Sequence, residues 1–78
     1  MTDIKLVDVT VHIDENIPQE DRSKVEDALR ALDGVVSVGM PQDKPHLVVV
    51  EYNPDKQSSR DILECVTGQN VHAELIGI

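Results

Sequence analysis

The stretch Val25 to Met40, VEDALRALDGVVSVGM, constrains the fold most, because it reads as a helix, its stop and the opening of a strand with nothing between them. Val25, Ala28, Leu29 and Leu32 recur at i, i+3, i+4 and i+7, one apolar stripe on a helix, while Glu26, Asp27 and Arg30 face water. Gly34 supplies the stop, since only glycine freely enters the left-handed conformation that closes so many helices. Val35, Val36 and Val38 then open an extended segment suited to their β-branched side chains. A helix with one apolar stripe that feeds straight into a strand needs a sheet to lie on.

The remaining segments fill in that sheet. Ile4 to Ile13 alternate, with Val7, Val9, Val11 and Ile13 on one side and Leu6, Asp8, Thr10 and His12 on the other, the pattern of a half-buried strand. Asp14-Glu15-Asn16-Ile17-Pro18 breaks it, because Ile17 before a proline is held out of helical geometry and Pro18 suits a first helical turn. The first helix is expected from about Pro18 to Leu32, with Glu20 and Asp21 favoured at its N-terminus and Asn16 and Gln19 at the spacing of a capping box. Val35 to Met40 and His46 to Tyr52 flank a turn bracketed by Pro41 and Pro45 and so predict a hairpin. Ser58 and Asp61 have the spacing of a second helix start, whose inner stripe is Ile62, Cys65 and Val66. Gly68 to Asn70 end that helix. Val71 to Ile78 form a last strand, with Val71, Ala73 and Leu75 alternating against His72, Glu74 and Ile76.

The order is strand, helix, strand, strand, helix, strand. Right-handed crossovers and a central hairpin favour an α+β, ferredoxin-like βαββαβ sandwich over residues 1–78 as a single domain. Its four-stranded antiparallel sheet has the order 4-1-3-2, with both helices on one face. In this topology the end of strand one, the start of helix one, the start of strand three, the end of helix two and the start of strand four meet at one end.

Composition narrows the function. Seventy-eight residues lie near the lower size at which one core suffices without disulfides or metal. Tyr52 is the sole aromatic residue, so the core must be aliphatic. The formal net charge of −8 repels phosphate backbones and anionic lipid, which argues against nucleic acid or membrane as partner. Cys65 is the only cysteine and cannot form an internal disulfide; no apolar run approaches the roughly 20 residues of a membrane span or resembles a signal peptide. A cytoplasmic setting is the expectation.

VEDALRALDGVVSV, VVVEYNPDKQSSRDILECV and the closing VHAEL together resemble the heavy-metal-associated (HMA) domain of copper metallochaperones and copper-transporting P-type ATPases. The likeness spans about Lys24 to the C-terminus and keeps the Leu-Asp-Gly-Val turn, the aromatic residue with Asn-Pro-Asp-Lys after strand three, and the Ser-x-x-Asp-Ile helix start. The resemblance implies the same fold. It also implies a metal function resting on Gly-Met-x-Cys-x-x-Cys between strand one and helix one, where two thiolates capture a soft ion such as Cu(I). Counted back from Gly34 without gaps, the two ligand positions fall on Pro18 and Asp21, which supply no thiolate. An HMA-like protein without the thiolate pair is therefore expected, working as a small, non-catalytic binding or adaptor protein.

Other residues offer alternatives. The topology brings His12, His46 and His72 to the end where the family holds its metal. His12 and His72 share the open face of the sheet, whereas His46 has the parity of Val48 and Val50 and is expected on the helix side. A carrier or sensor of a divalent transition metal through His12 and His72 is the second reading, set against surface histidines with no ligand; no other cofactor is expected. Cys65 reads as a small buried hydrophobe without an activating neighbour. Asp14, Glu15, Glu20 and Asp21 lack the spacing of a calcium loop. Acylphosphatases share the topology but need a glycine-rich, arginine-bearing loop where this chain has the acidic DENIPQED, and no catalytic set can be assigned from spacing. A third reading is a small-molecule regulatory module of the ACT type. Finally, Leu6, Leu47, Val49, Ile76 and Ile78 have no intramolecular cover on the open face, which is expected to receive a protein partner or a second copy.

Overall fold

The computed structural model describes residues 5–76. The elements are β1 (Val7–Ile13), α1 (Gln19–Arg30), β2 (Val35–Gly39), β3 (Leu47–Tyr52), α2 (Ser59–Thr67) and β4 (Ala73–Ile76). The sheet order is β2-β3-β1-β4, the expected 4-1-3-2 read from the other edge, and every pairing is antiparallel. The architecture is thus the ferredoxin-like one that the pattern of periods predicts.

Strand alternation decides what is buried. Val9, Val11 and Ile13 of β1 and Val48, Val50 and Tyr52 of β3 point to one face, where Val25 and Leu29 of α1 and Ile62 and Val66 of α2 close over them. Both helices therefore lie on that face, and the core is aliphatic apart from Tyr52. Val7 shares the inward parity yet is 38% exposed, because a strand's terminal position has packed neighbours on one side only. Val36 is 58% exposed; the pairing of β2 with β3 slips between Val35 and Ser37, and this bulge turns Val36 outward.

The helix starts separate into one that matches its sequence signal and one that does not. Ser58 and Asp61 form a reciprocal capping box at α2: the Asp61 N–H donates to Ser58 Oγ at 3.1 Å, and the Ser58 N–H donates to Asp61 Oδ2 at 2.9 Å. At α1 the expected cap by Asn16 is not formed. Pro18, extended at φ −63° and ψ 160°, takes the cap position without a side-chain bond, and its carbonyl accepts from Asp21 N and Arg22 N. Asn16 lies two residues before that cap, out of step with the first free N–H groups. The helix ends at Arg30, and Leu32 packs from the following turn, where Gly34 has a φ of +94°.

Backbone bonds gather the loops at one end, as the topology requires. Ile13 N donates to His46 O at 2.8 Å, and Asp14 N donates to His72 O at 2.8 Å, each extending the β1 ladder past its assigned end.

Candidate functional site at the end of the central strand

β1 is flanked on both sides, so its final residues sit between the approach to β3 and the approach to β4. His12 pairs with Leu47 on one side and Glu74 on the other. By alternation these three side chains lie on the open face. His12 Nδ1 lies 3.3 Å from Asp14 Oδ1 and 3.5 Å from Glu74 Oε1. That nitrogen is shielded from solvent and has no hydrogen-bond partner among the described residues, although the side chain as a whole is 38% exposed. Asp14 and Glu74 also face each other. Hydrogen bonding with Asp14 raises the Glu74 carboxyl above its usual range; desolvation and the Asp14 charge add to this, and His12 works against it.

His72 is turned elsewhere. Its backbone N–H donates to Glu15 Oε1 at 2.8 Å and its Nδ1–H to Glu15 Oε2 at 2.6 Å. The side-chain bond is the main reason the His72 pKa is raised, with the Glu15 charge second; the same bond leads in lowering the Glu15 pKa, followed by the one from the His72 backbone. The two histidines named from sequence thus have different carboxylate partners. His46 departs from its expected side: its Nδ1–H donates to Ile13 O at 2.7 Å, which folds the ring over the strand end and stacks it on His12, centroids 5.6 Å apart and planes 19° from parallel. Sequence parity missed this because His46 precedes the assigned β3 and a side-chain bond, not the pleat, aims it. Asp14 and Glu74 were missed as companions of His12; the signal available was their common open-face parity.

A hollow of about 370 Å³ is lined by Glu15, Ile17, Asp21, Lys24 and Val25 and by residues 68–71. Asp21 lies 3.9 Å from Lys24 Nζ, and Pro18 is the exposed helix cap. Cys65 is half-buried on α2 against the core, and burial pushes its thiol pKa up.

On the open face, Ile76 and Val49 flank Thr10 from its two sides, and Leu47 lies two pairs further along β3 beside His12. Ile76 is 38% exposed, and Val49 and Leu47 are half-buried. The register sets Ile76 two residue pairs from the His12–Glu74 pair, on the same face of the sheet. Leu6, also 38% exposed, precedes β1 and is set apart from Thr10 by the Asp8–Glu51 pair. Ile78 lies outside the described residues.

No family model and no curated protein sequence matches the chain, but solved structures do. The chain is similar to the N-terminal domain of a potential copper-translocating P-type ATPase from Bacillus subtilis, determined in the Cu(I)-loaded state, with a TM-score of 0.83 and 23% identity over 94% of this chain and 90% of that one. It is similar to oxidized MerP from Ralstonia metallidurans CH34, with a TM-score of 0.82 and 15% identity over 94% of this chain and all of that one. A copper binding domain from HMA7, a P-type ATPase, gives a TM-score of 0.81 and 20% identity over 90% of this chain and 93% of that one. The donors of this chain do not fit a Cu(I) ion held by two thiolates: one thiol exists, it is protonated more firmly by burial, and it lies on α2. What the chain shares with these proteins is their architecture, the ferredoxin-like fold of the HMA domains.

Proposed function

We propose that the chain is a heavy-metal-associated-like binding module, non-catalytic and cytoplasmic, that docks a basic partner protein through the open face of its sheet. The observation that carries this reading is the uncovered apolar row of Ile76, Val49 and Leu47 around Thr10, on the face opposite both helices. The charged side chains paired on that face, Asp8, Glu51 and Glu74, are acidic. A second copy of a chain of net charge −8 would bring like charges together, whereas a basic rim on a partner would complement them. The similar structures include a copper binding domain and the CopZ metallochaperone, which favours binding over chemistry. Covering about 300 Å² of apolar surface contributes roughly 7 kcal/mol before association costs, enough for a weak to moderate complex.

The test is the Val49→Lys, Ile76→Lys double variant, with Val36→Lys as a control whose site lies on the β2 bulge. Proteins captured by the wild type should be basic, should be released by salt, and should be lost by the double variant and kept by the control. Capture unchanged by the double variant overturns the open face as the docking surface. A salt-resistant dimer in sedimentation, abolished by the double variant, would replace the basic partner with a second copy.

A further inference from the structure

We propose that His12, Asp14 and Glu74 form a binding site for a borderline divalent cation such as Zn(II), with Co(II) as its spectroscopic stand-in. This goes beyond the docking reading and does not depend on it. One donor atom from each residue falls in a group whose members all lie within 4.8 Å of one another. The separations from His12 Nδ1, 3.3 Å to Asp14 Oδ1 and 3.5 Å to Glu74 Oε1, match the edge of a tetrahedron. Four ligands at about 2.1 Å from a zinc ion lie about 3.4 Å from one another. One imidazole and two carboxylates supply three nitrogen and oxygen donors of the kinds zinc accepts, with a position left for water or a ligand.

The His12 nitrogen is the observation that asks for a cation. A shielded Nδ1 with no hydrogen-bond partner among the described residues, facing two carboxylate oxygens, is complemented by a positive centre between them, which a cation supplies when the ring proton sits on Nε2. The ring cannot easily turn away, because it is stacked on His46, which is itself tied to the Ile13 carbonyl. A histidine bound through Nδ1 keeps its proton on Nε2, and a fixed ring plane is what a metal-ligating imidazole requires. Backbone pairing supplies further rigidity. His12 and Glu74 are direct partners across β1 and β4, and Asp14 is held by its N–H to His72 O at 2.8 Å. The site therefore uses the open face of the sheet, and neither Pro18 nor Asp21, where the resemblance would place thiolates, takes part. Soft Cu(I) is the wrong ion for it, since nitrogen and carboxylate oxygen select harder, divalent metals.

The alternative occupant is a proton on His12 Nδ1, held toward the two carboxylates. Titration of metal-free protein with Co(II) alone distinguishes the two. One equivalent should bind and give the intense visible absorption of a low-coordinate Co(II) centre, and Zn(II) should displace it. His12→Ala, Asp14→Asn and Glu74→Gln should each weaken binding at least tenfold, while His72→Ala leaves it unchanged. The His12 ring resonances of the unmutated protein should move on Zn(II) addition, a readout that needs no variant to fold. Absence of Co(II) or Zn(II) binding at millimolar metal would assign the cluster to a proton and overturn the proposal. So would binding that survives His12→Ala and Glu74→Gln, or that is lost in His72→Ala.

Discussion

Gly34 is the residue whose identity is most tightly prescribed. Its φ of +94° lies where L side chains are strained, and a Cβ built there would come within 2.7 Å of Lys56 Cβ. Gly34→Ala should therefore lower stability by about 1–2 kcal/mol in urea denaturation, with the slope unchanged, since the strain belongs to the folded turn. A midpoint equal to that of the wild type would mean the turn relaxes freely. The sequence places Gly34 at the helix stop, but α1 ends earlier, at Arg30 with Ala31 as its right-handed cap, and the positive φ of Gly34 serves the turn that leads into β2. Cys65 was legible in the sequence: its helical spacing from Ile62 and Val66 fixes which way it points. Its thiol, raised by burial, should react with iodoacetamide more slowly than free glutathione and catch up in urea; fast alkylation of the folded protein would contradict the packing. The histidines were less legible. His46 is aimed by a bond to Ile13 O and His72 by one to Glu15, so their directions depend on distant segments meeting, which no local period records.

At the level of elements, the two helices begin by different means and should respond differently to the same change. Ser58→Ala removes an acceptor that satisfies the Asp61 N–H and should cost about 1 kcal/mol. Asn16→Ala should cost far less, because α1 starts on Pro18 with no side-chain cap. Equal losses in the two variants would show that Asn16 does cap. The α2 box also has a pH signature. The Ser58 backbone N–H first, and its hydroxyl second, lower the Asp61 pKa below 3.8. A carboxylate lowered on folding stabilises above its unfolded pKa, and that contribution is lost as the pH falls through the folded value. Far-UV circular dichroism should show an acid limb that is shallower in Asp61→Asn; a limb of the same steepness would mean the box adds nothing. Capping signals read correctly when acceptor and donor lie three residues apart on either side of a true cap. Asn16 failed because the proline, a stronger constraint, moved the cap two residues on.

Across the whole molecule, charge is the term the fold accommodates least. Fifteen acidic residues face seven basic ones, and exposed pairs such as Arg30 with Glu26 at 2.7 Å and Lys56 with Asp33 at 3.1 Å contribute little in water. Antiparallel pairing makes the imbalance local, because Asp8 of β1 stands directly across from Glu51 of β3. Like charges opposed across a ladder destabilise by a few tenths to about 1 kcal/mol. The alternation of both strands was legible in the sequence, but this pairing was not, since register emerges only when β3 settles against β1. Glu51→Gln keeps an acceptor within 3.5 Å of the Ser37 hydroxyl while removing the repulsion, so it should raise the melting temperature in low salt. Screening grows as the Debye length falls from about 30 Å at 0.01 M to about 10 Å at 0.1 M salt. Sodium chloride over that range should therefore stabilise the wild type more than the variant, and the two melting curves should converge. A variant no more stable than the wild type at low salt would show that the Asp8–Glu51 opposition costs nothing. If the variant is more stable yet captures less of the proposed basic partner, the repulsion is retained for the proposed docking face; if it is more stable and captures as much, the charges of that face do not select a partner.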